Sequence, residues 1–269
     1  MEVTWAFALY LATGAVAGFL AGLFGVGGGL IIVPALIFVF AAQQFPAEYI
    51  AHIALGTSLA SIVFTSVASL RAHHRHGAVQ WSVVRRISPG IVVGTLLGTV
   101  LATVLSTVFL KLFFVAFVFY VATQLLADFR PKPSRGLPAR FGMFIAGNIV
   151  GAVSALVGIG GGTLSVPFMI WCNVRLHDAI GTSSAIGFPI ALAGTVGYAL
   201  NGLWAPHSLP PGSVGFVYLP ALLGLVLASV LTAPLGARVA HRVPVKPLKK
   251  IFALLLYAIG VRMAWGIFH

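Results

Sequence analysis

Apolar runs of about 20 residues recur along this chain: Trp5 to Phe24, Ile87 to Ser106, Leu112 to Ala127, Phe216 to Leu235 and Ile251 to Phe268. Coiled into helices, they are long enough to cross a hydrocarbon core of about 30 Å. No water-soluble surface can be built around so many such segments, because 59% of the residues are hydrophobic and only 7% are charged. The bilayer is therefore the solvent for most of the chain, and the expected fold class is an all-α integral membrane protein. The first run reads as a retained membrane segment rather than a cleaved secretory signal, since its only early charge is Glu2 and no basic stretch precedes it.

A net charge of +12 would suggest nucleic acid as a partner if the basic residues formed one patch. They instead sit in short clusters between apolar runs, which is how topology is written in membrane proteins, so no nucleic acid is expected. The single Cys172 excludes an intrachain disulfide and fits no metal or redox spacing. The run Arg71-Ala72-His73-His74-Arg75-His76 is better read as a solvated loop than as a metal site. No metal and no cofactor is expected.

The chain repeats itself. When residues 14–34 are laid on residues 147–167, Gly14, Gly18, Leu23, Gly25, Gly27, Gly28, Gly29, Val33 and Pro34 meet Gly147, Gly151, Leu156, Gly158, Gly160, Gly161, Gly162, Val166 and Pro167. Further on, His52, Gly56, Thr57 and Ser58 match His177, Gly181, Thr182 and Ser183. This order divides the chain into a first repeat over 1–128, a cytoplasmic linker over 129–140 and a second repeat over 141–269.

Lys and Arg accumulate in cytoplasmic loops. Arg71 to Arg86, Arg130 to Arg140 and Arg238 to Lys250 therefore mark inside loops, while the segment from Asn201 to Ser213, with neither Lys nor Arg, reads as outside. Between Arg140 and Asn201 the chain must cross an odd number of times, yet the interval holds three apolar pieces. The middle one, Thr163 to Trp171, would span only about 14 Å as a helix. A hairpin over Phe141 to Cys172 followed by one full crossing solves this; three full crossings would keep the same parity. Applied to both halves, the hairpin solution predicts two inverted repeats, each a glycine-broken helical hairpin plus three transmembrane helices. Such repeats with discontinuous helices are the architecture of many secondary transporters, whose substrate sites lie near the midplane.

The breaks carry the most chemistry. Gly27, Gly28 and Gly29 before Leu30, and Gly160, Gly161 and Gly162 before Thr163, disfavour a continuous helix by about 1 kcal/mol each relative to Ala. The helix that starts after each break presents free N–H groups and a positive dipole end, which favour an anion. Close packing through small residues is the competing reading for these glycines. For the four-spaced sets Gly14, Gly18, Gly22 and Gly90, Gly94, Gly98, helix contact is the preferred one. Thr57, Ser58, Thr182 and Ser183 can donate to an anion or back-bond to a carbonyl one turn earlier. His52, His177 and Arg262 are secondary candidates. The acids Glu2, Glu48, Asp128 and Asp178 all fall at segment ends, which disfavours a buried carboxylate relay.

With its paired Gly-x-Gly-Gly-Gly-x-x-x-x-Pro segments, two hydrophobic halves and Gly-Thr-Ser elements, the chain resembles the TauE/SafE family of membrane permeases over nearly its whole length. The resemblance implies export of sulfite or an organosulfonate from the cell across the inner membrane. The expected partners are a small anion, the bilayer and, for assembly, a second copy in a homodimer. An importer or channel for another small anion is the runner-up. An intramembrane hydrolase is disfavoured, because Ser58 and His52 lie in no protease-like motif.

Overall fold

The computed structural model describes residues 2–25, 27–127, 136–205, 209–242 and 245–268. The predicted linker lies outside the described residues as far as 135, as do Asp128, Arg130, Lys132 and Arg135.

Helices form wherever the apolar runs predict them. The order is α1 (Glu2–Phe24), α2 (Gly29–Ala42), α3 (Ile50–Arg75), α4 (Trp81–Val104), α5 (Thr107–Leu126), α6 (Arg140–Val157), α7 (Gly162–Trp171), α8 (Leu176–Leu203), a short ribbon of β1 (Ser213–Val214) and β2 (Val217–Tyr218), then α9 (Leu219–Arg242) and α10 (Val245–Phe268). Eight of these helices are long and apolar enough to cross a membrane; α2 and α7 are the short ones. The pattern long, short, long, long, long thus occurs twice. Large apolar side chains such as Leu97, Val104, Phe141 and Leu231 stand exposed around the bundle, which only a lipid surround makes inexpensive.

Glycine contacts fix helix directions. A Cβ on Gly14, Gly18 or Gly22 would strike the backbone of Leu225, Ser229 or Ala233 respectively, so α1 and α9 run parallel at near backbone contact. Gly90, Gly94 and Gly98 do the same against Phe144, Asn148 and Ala152, so α4 and α6 also run parallel. Both four-spaced glycine sets are helix contacts, the small-residue packing that membranes favour. In contrast α3 and α8 are antiparallel: Leu59 lies against Gly194, Ser66 near Gly187, and Ser69 donates to Ser184. α5 and α10 are antiparallel as well, with Phe119 against Gly260 and Thr123 bonded to Tyr257. These directions gather Arg75, Arg85, Arg140, Arg175 and Arg242 at one end of the molecule, called the basic end below.

The first hairpin is closed at its mouth by Tyr10 Oη, which donates to Gln43 Oε1 at 2.9 Å. α3 and α8 cross at the centre, and both are mostly buried. They form the wall against which the two breaks are held.

Candidate functional site

Each break is a left-handed glycine hinge. Gly25, Gly27 and Gly28 have φ of 69°, 80° and 80°, and Gly158 and Gly161 have φ of 71° and 75°, values that side chains with a Cβ rarely adopt. Gly28 and Gly161 are the N-caps of α2 and α7. The two breaks touch directly: a Cβ on Gly27 would lie 2.9 Å from Gly160 Cα, and one on Gly29 would lie 2.1 Å from Gly158 O. Gly27, Gly28, Gly29, Leu30, Gly160, Gly161, Gly162 and Thr163 are thus brought together, all buried, at mid-height of α3 and α8.

The Gly-Thr-Ser elements have a role that motif reading did not anticipate. Ser58 Oγ donates to Gly158 O at 2.8 Å, and Ser183 Oγ donates to Gly25 O at 3.0 Å. Each half therefore uses its serine to occupy the carbonyl end of the other half's broken helix. The threonines act as acceptors: Thr57 Oγ1 takes the N–H of Tyr218 and Thr182 Oγ1 takes the N–H of Gln80, each at 2.9 Å and each just before the next long helix of the opposite half. The glycines beside them, Gly56 and Gly181, allow the carbonyls of Phe216 and Ala78 to approach. Four side chains named as candidates are thus brackets between the halves.

Each serine occupies one carbonyl just past the end of a broken helix, Gly25 O after α1 and Gly158 O after α6. At the start of α7, no acceptor among the described residues meets the amides of Gly160, Gly161, Gly162 and Thr163. This helix start therefore offers N–H groups and a positive dipole end to an anion.

On the basic-end side of the contact lies a narrow cleft lined by Ala21, Gly25, Gly27, Gly160 and Gly187 together with Thr65, Ser66, Ser69 and Ser184. Of these hydroxyls, Thr65, Ser66 and Ser69 had only a weak signal in the sequence, because the positions that match them in the second half are Ile190, Ala191 and Gly194.

The secondary candidates are elsewhere. His52 is buried near the end opposite the basic one, with Nε2 2.9 Å from Ala102 O, whereas His177 is exposed at the basic end. Arg262 is exposed on α10, over the ring of Phe38 at 5.2 Å. Asp178 pairs with Arg175 at 2.9 Å. Among the described residues no three His, Cys, Asp or Glu side chains are placed to hold a metal.

Comparison with known proteins decides the family. The profile described as sulfite exporter TauE/SafE matches residues 10–263. The chain belongs to the TauE/SafE family. A probable membrane transporter protein of Haemophilus influenzae is 35% identical over 257 residues, covering 95% of this chain and 97% of its own length. The probable membrane transporter protein YunE of Bacillus subtilis is 27% identical, with 97% and 99% covered. A probable membrane transporter protein of Methanocaldococcus jannaschii is 24% identical, with 95% and 94% covered. No solved structure matches the chain. TauE/SafE proteins are multi-pass membrane transporters rather than enzymes, and the broken helices described above lie within the matched span.

Proposed function

We propose that this TauE/SafE member is a secondary transporter that exports a small sulfur-containing anion, sulfite or an organosulfonate. The anion would pass through a site where the two broken helices meet. The observation that carries this reading is the set of amides at the start of α7 that no acceptor among the described residues meets, a positive helix end that favours negative charge. The substrate class is supported by the family's description as sulfite exporters.

In this reading the halves are inverted repeats related by an axis in the membrane plane. The exchange of equivalent bonds between them, Ser58 to Gly158 and Ser183 to Gly25, supports it. The basic end faces the cytoplasm by the positive-inside rule, and the hydroxyl-lined cleft is then on the loading side.

Among the described residues no carboxylate lies at the breaks, since buried Asp178 is paired with Arg175 at the basic end and Glu48 is exposed, so the anion moves alone. An inside-negative potential favours outward movement of a monovalent anion by about 2.3 kcal/mol per 100 mV. In liposomes with a potassium diffusion potential, sulfite efflux should be saturable and should accelerate when the loaded compartment is made negative. Flux indifferent to potential but driven by a proton gradient would overturn uniport. The absence of any saturable flux of sulfite or sulfonate would overturn the substrate class, leaving import or conduction of another small anion.

A further inference from the structure

Helix hydroxyls in this protein back-bond as a rule. Thr65, Ser88, Thr99, Thr123 and Thr195 each donate to a carbonyl three or four residues earlier, the usual resting place for Ser and Thr in a membrane helix. Others, such as Ser58 and Ser183, bond across to another element, but three buried helix hydroxyls do neither. Thr95, Ser154 and Thr163 are 0%, 0% and 7% exposed, and their oxygens have no hydrogen-bond partner.

These three gather around the start of α7. Thr163 is in its first turn. Ser154 Oγ lies 3.3 Å from where a Cβ on Gly161, the N-cap, would stand. Thr95 Oγ1 lies 2.7 Å from the corresponding point on Gly151, one turn back from Ser154 on the same face of α6. Ile190 closes the corner, with its Cδ1 2.3 Å from the Cβ position of Gly161. The amides of Gly161, Gly162 and Thr163, at the N-cap and in the first turn of α7, have no acceptor among the described residues.

The first break has no such unpartnered set: Thr232 Oγ1 lies 2.4 Å from the Cβ position of Gly18, the glycine matching Gly151, but it donates to Ala228 O at 3.2 Å. Ala21 and Leu30 stand where the repeat places Ser154 and Thr163, and Ala233 occupies in α9 the position that Thr95 occupies in α4. Three hydroxyls at one break therefore face three apolar side chains at the other.

We propose that Thr95, Ser154 and Thr163, with the amides that start α7, form an oxyanion-binding station and are the specificity-determining hydroxyls of transport. The ligand class is a small anion with an oxygen-rich head such as SO3, able to accept several O–H and N–H donors at once. This rests on the proposed anion pathway and names where in it the anion is read: at the second break, beyond the cleft that loads it. The first break is scaffold. Ile190 is the side chain that must swing for the anion to enter.

The near-isosteric variants T95V, S154A and T163V test this, because removing an unpartnered buried hydroxyl and removing a ligand-reading one have opposite signatures. An orphaned polar group destabilises the ligand-free fold, so each variant should melt at or above the wild-type temperature without anion. Each should lose the stabilisation that sulfite gives the wild type, with at least a tenfold rise in apparent Kd and in KM for sulfite flux. T99V, one turn along α4 at a back-bonded hydroxyl, should keep the wild-type Kd. If the three variants bind and move sulfite with wild-type constants, the hydroxyls are packing or hold only water, and the station is wrong while the pathway stands. If the wild type itself is not stabilised by sulfite or a sulfonate, the station falls together with the pathway.

Discussion

The two breaks share their glycines but not their surroundings. Both have a left-handed N-cap, both are approached by the other's backbone, and both have a terminal carbonyl held by a serine from the opposite half. The positions that carry unpartnered Ser154, Thr163 and Thr95 at the second are Ala21, Leu30 and Ala233 at the first, where the neighbouring Thr232 hydroxyl back-bonds. On the basic-end side of the contact, α3 presents Thr65, Ser66 and Ser69, while the matching positions of α8 are Ile190, Ala191 and Gly194. What repeats is what holds the breaks together. What does not repeat lines the space an anion would use, and a pathway with two different ends can bind on one side and release on the other.

The sharpest way to break this comparison is to alter the shared part. Gly29→Ala would put a methyl 2.1 Å from Gly158 O, backbone against backbone, with no side chain free to yield. We predict loss of sulfite flux and a large drop in monodisperse protein after extraction. Gly161→Ala should be milder, because its methyl meets the flexible end of Ile190 and the left-handed φ adds only about 1–2 kcal/mol. Adding Ile190→Val to Gly161→Ala should restore part of the flux. A Gly29→Ala protein that folds and transports normally would mean that the breaks do not meet.

The serine brackets come next in size. Ser58→Ala and Ser183→Ala each leave a buried carbonyl without its donor, at about 1–3 kcal/mol. If the halves contribute equally to the scaffold, the two variants should lower the melting temperature alike, and the double variant should lose roughly the sum. A large difference between the singles would show that one break alone holds the assembly.

Much of this was readable from local chemistry. Helix existence follows from run length and composition, and the breaks follow from consecutive glycines, so the ten helices among the described residues and both hinges had signals within a few residues of themselves. Thr57, Ser58, Thr182 and Ser183 stood out because they repeat. Their task did not, because the carbonyls the serines serve are 100 and 158 residues away in sequence and the N–H groups the threonines accept are 161 and 102 away. Thr95 and Ser154 were passed over for a different reason: a hydroxyl that fails to back-bond is a property of the packed bundle, and in sequence it looks like every other membrane Ser or Thr. Of the linker's basic residues, Arg140 starts α6 at the basic end, while Arg130, Lys132 and Arg135 lie outside the described residues.

The smallest expected effect concerns a pair that sequence comparison hides because the residue types differ. His73 Nε2 is 2.9 Å from Gly22 O, and Tyr198 Oη donates to Ala155 O at 3.0 Å. Gly22 and Ala155 are matched positions of the repeat, and so are His73 and Tyr198. Each ties the last turn of a broken helix to the long helix beside it, one with an imidazole and one with a phenol. His73 stands one turn beyond Ser69, on the basic-end side of the cleft, whereas Tyr198 is at the far end of α8. Breaking either tie costs about 1 kcal/mol of local stability, but the consequences should differ by location. In a Cys172→Ala background carrying Ser69→Cys, we predict that His73→Phe speeds thiol labelling of the cleft by roughly fivefold, the factor that about 1 kcal/mol supplies. Tyr198→Phe should leave that rate unchanged. Equal acceleration by both would mean that the two ends open together, and that the difference between the breaks does not set the side from which the cleft is reached.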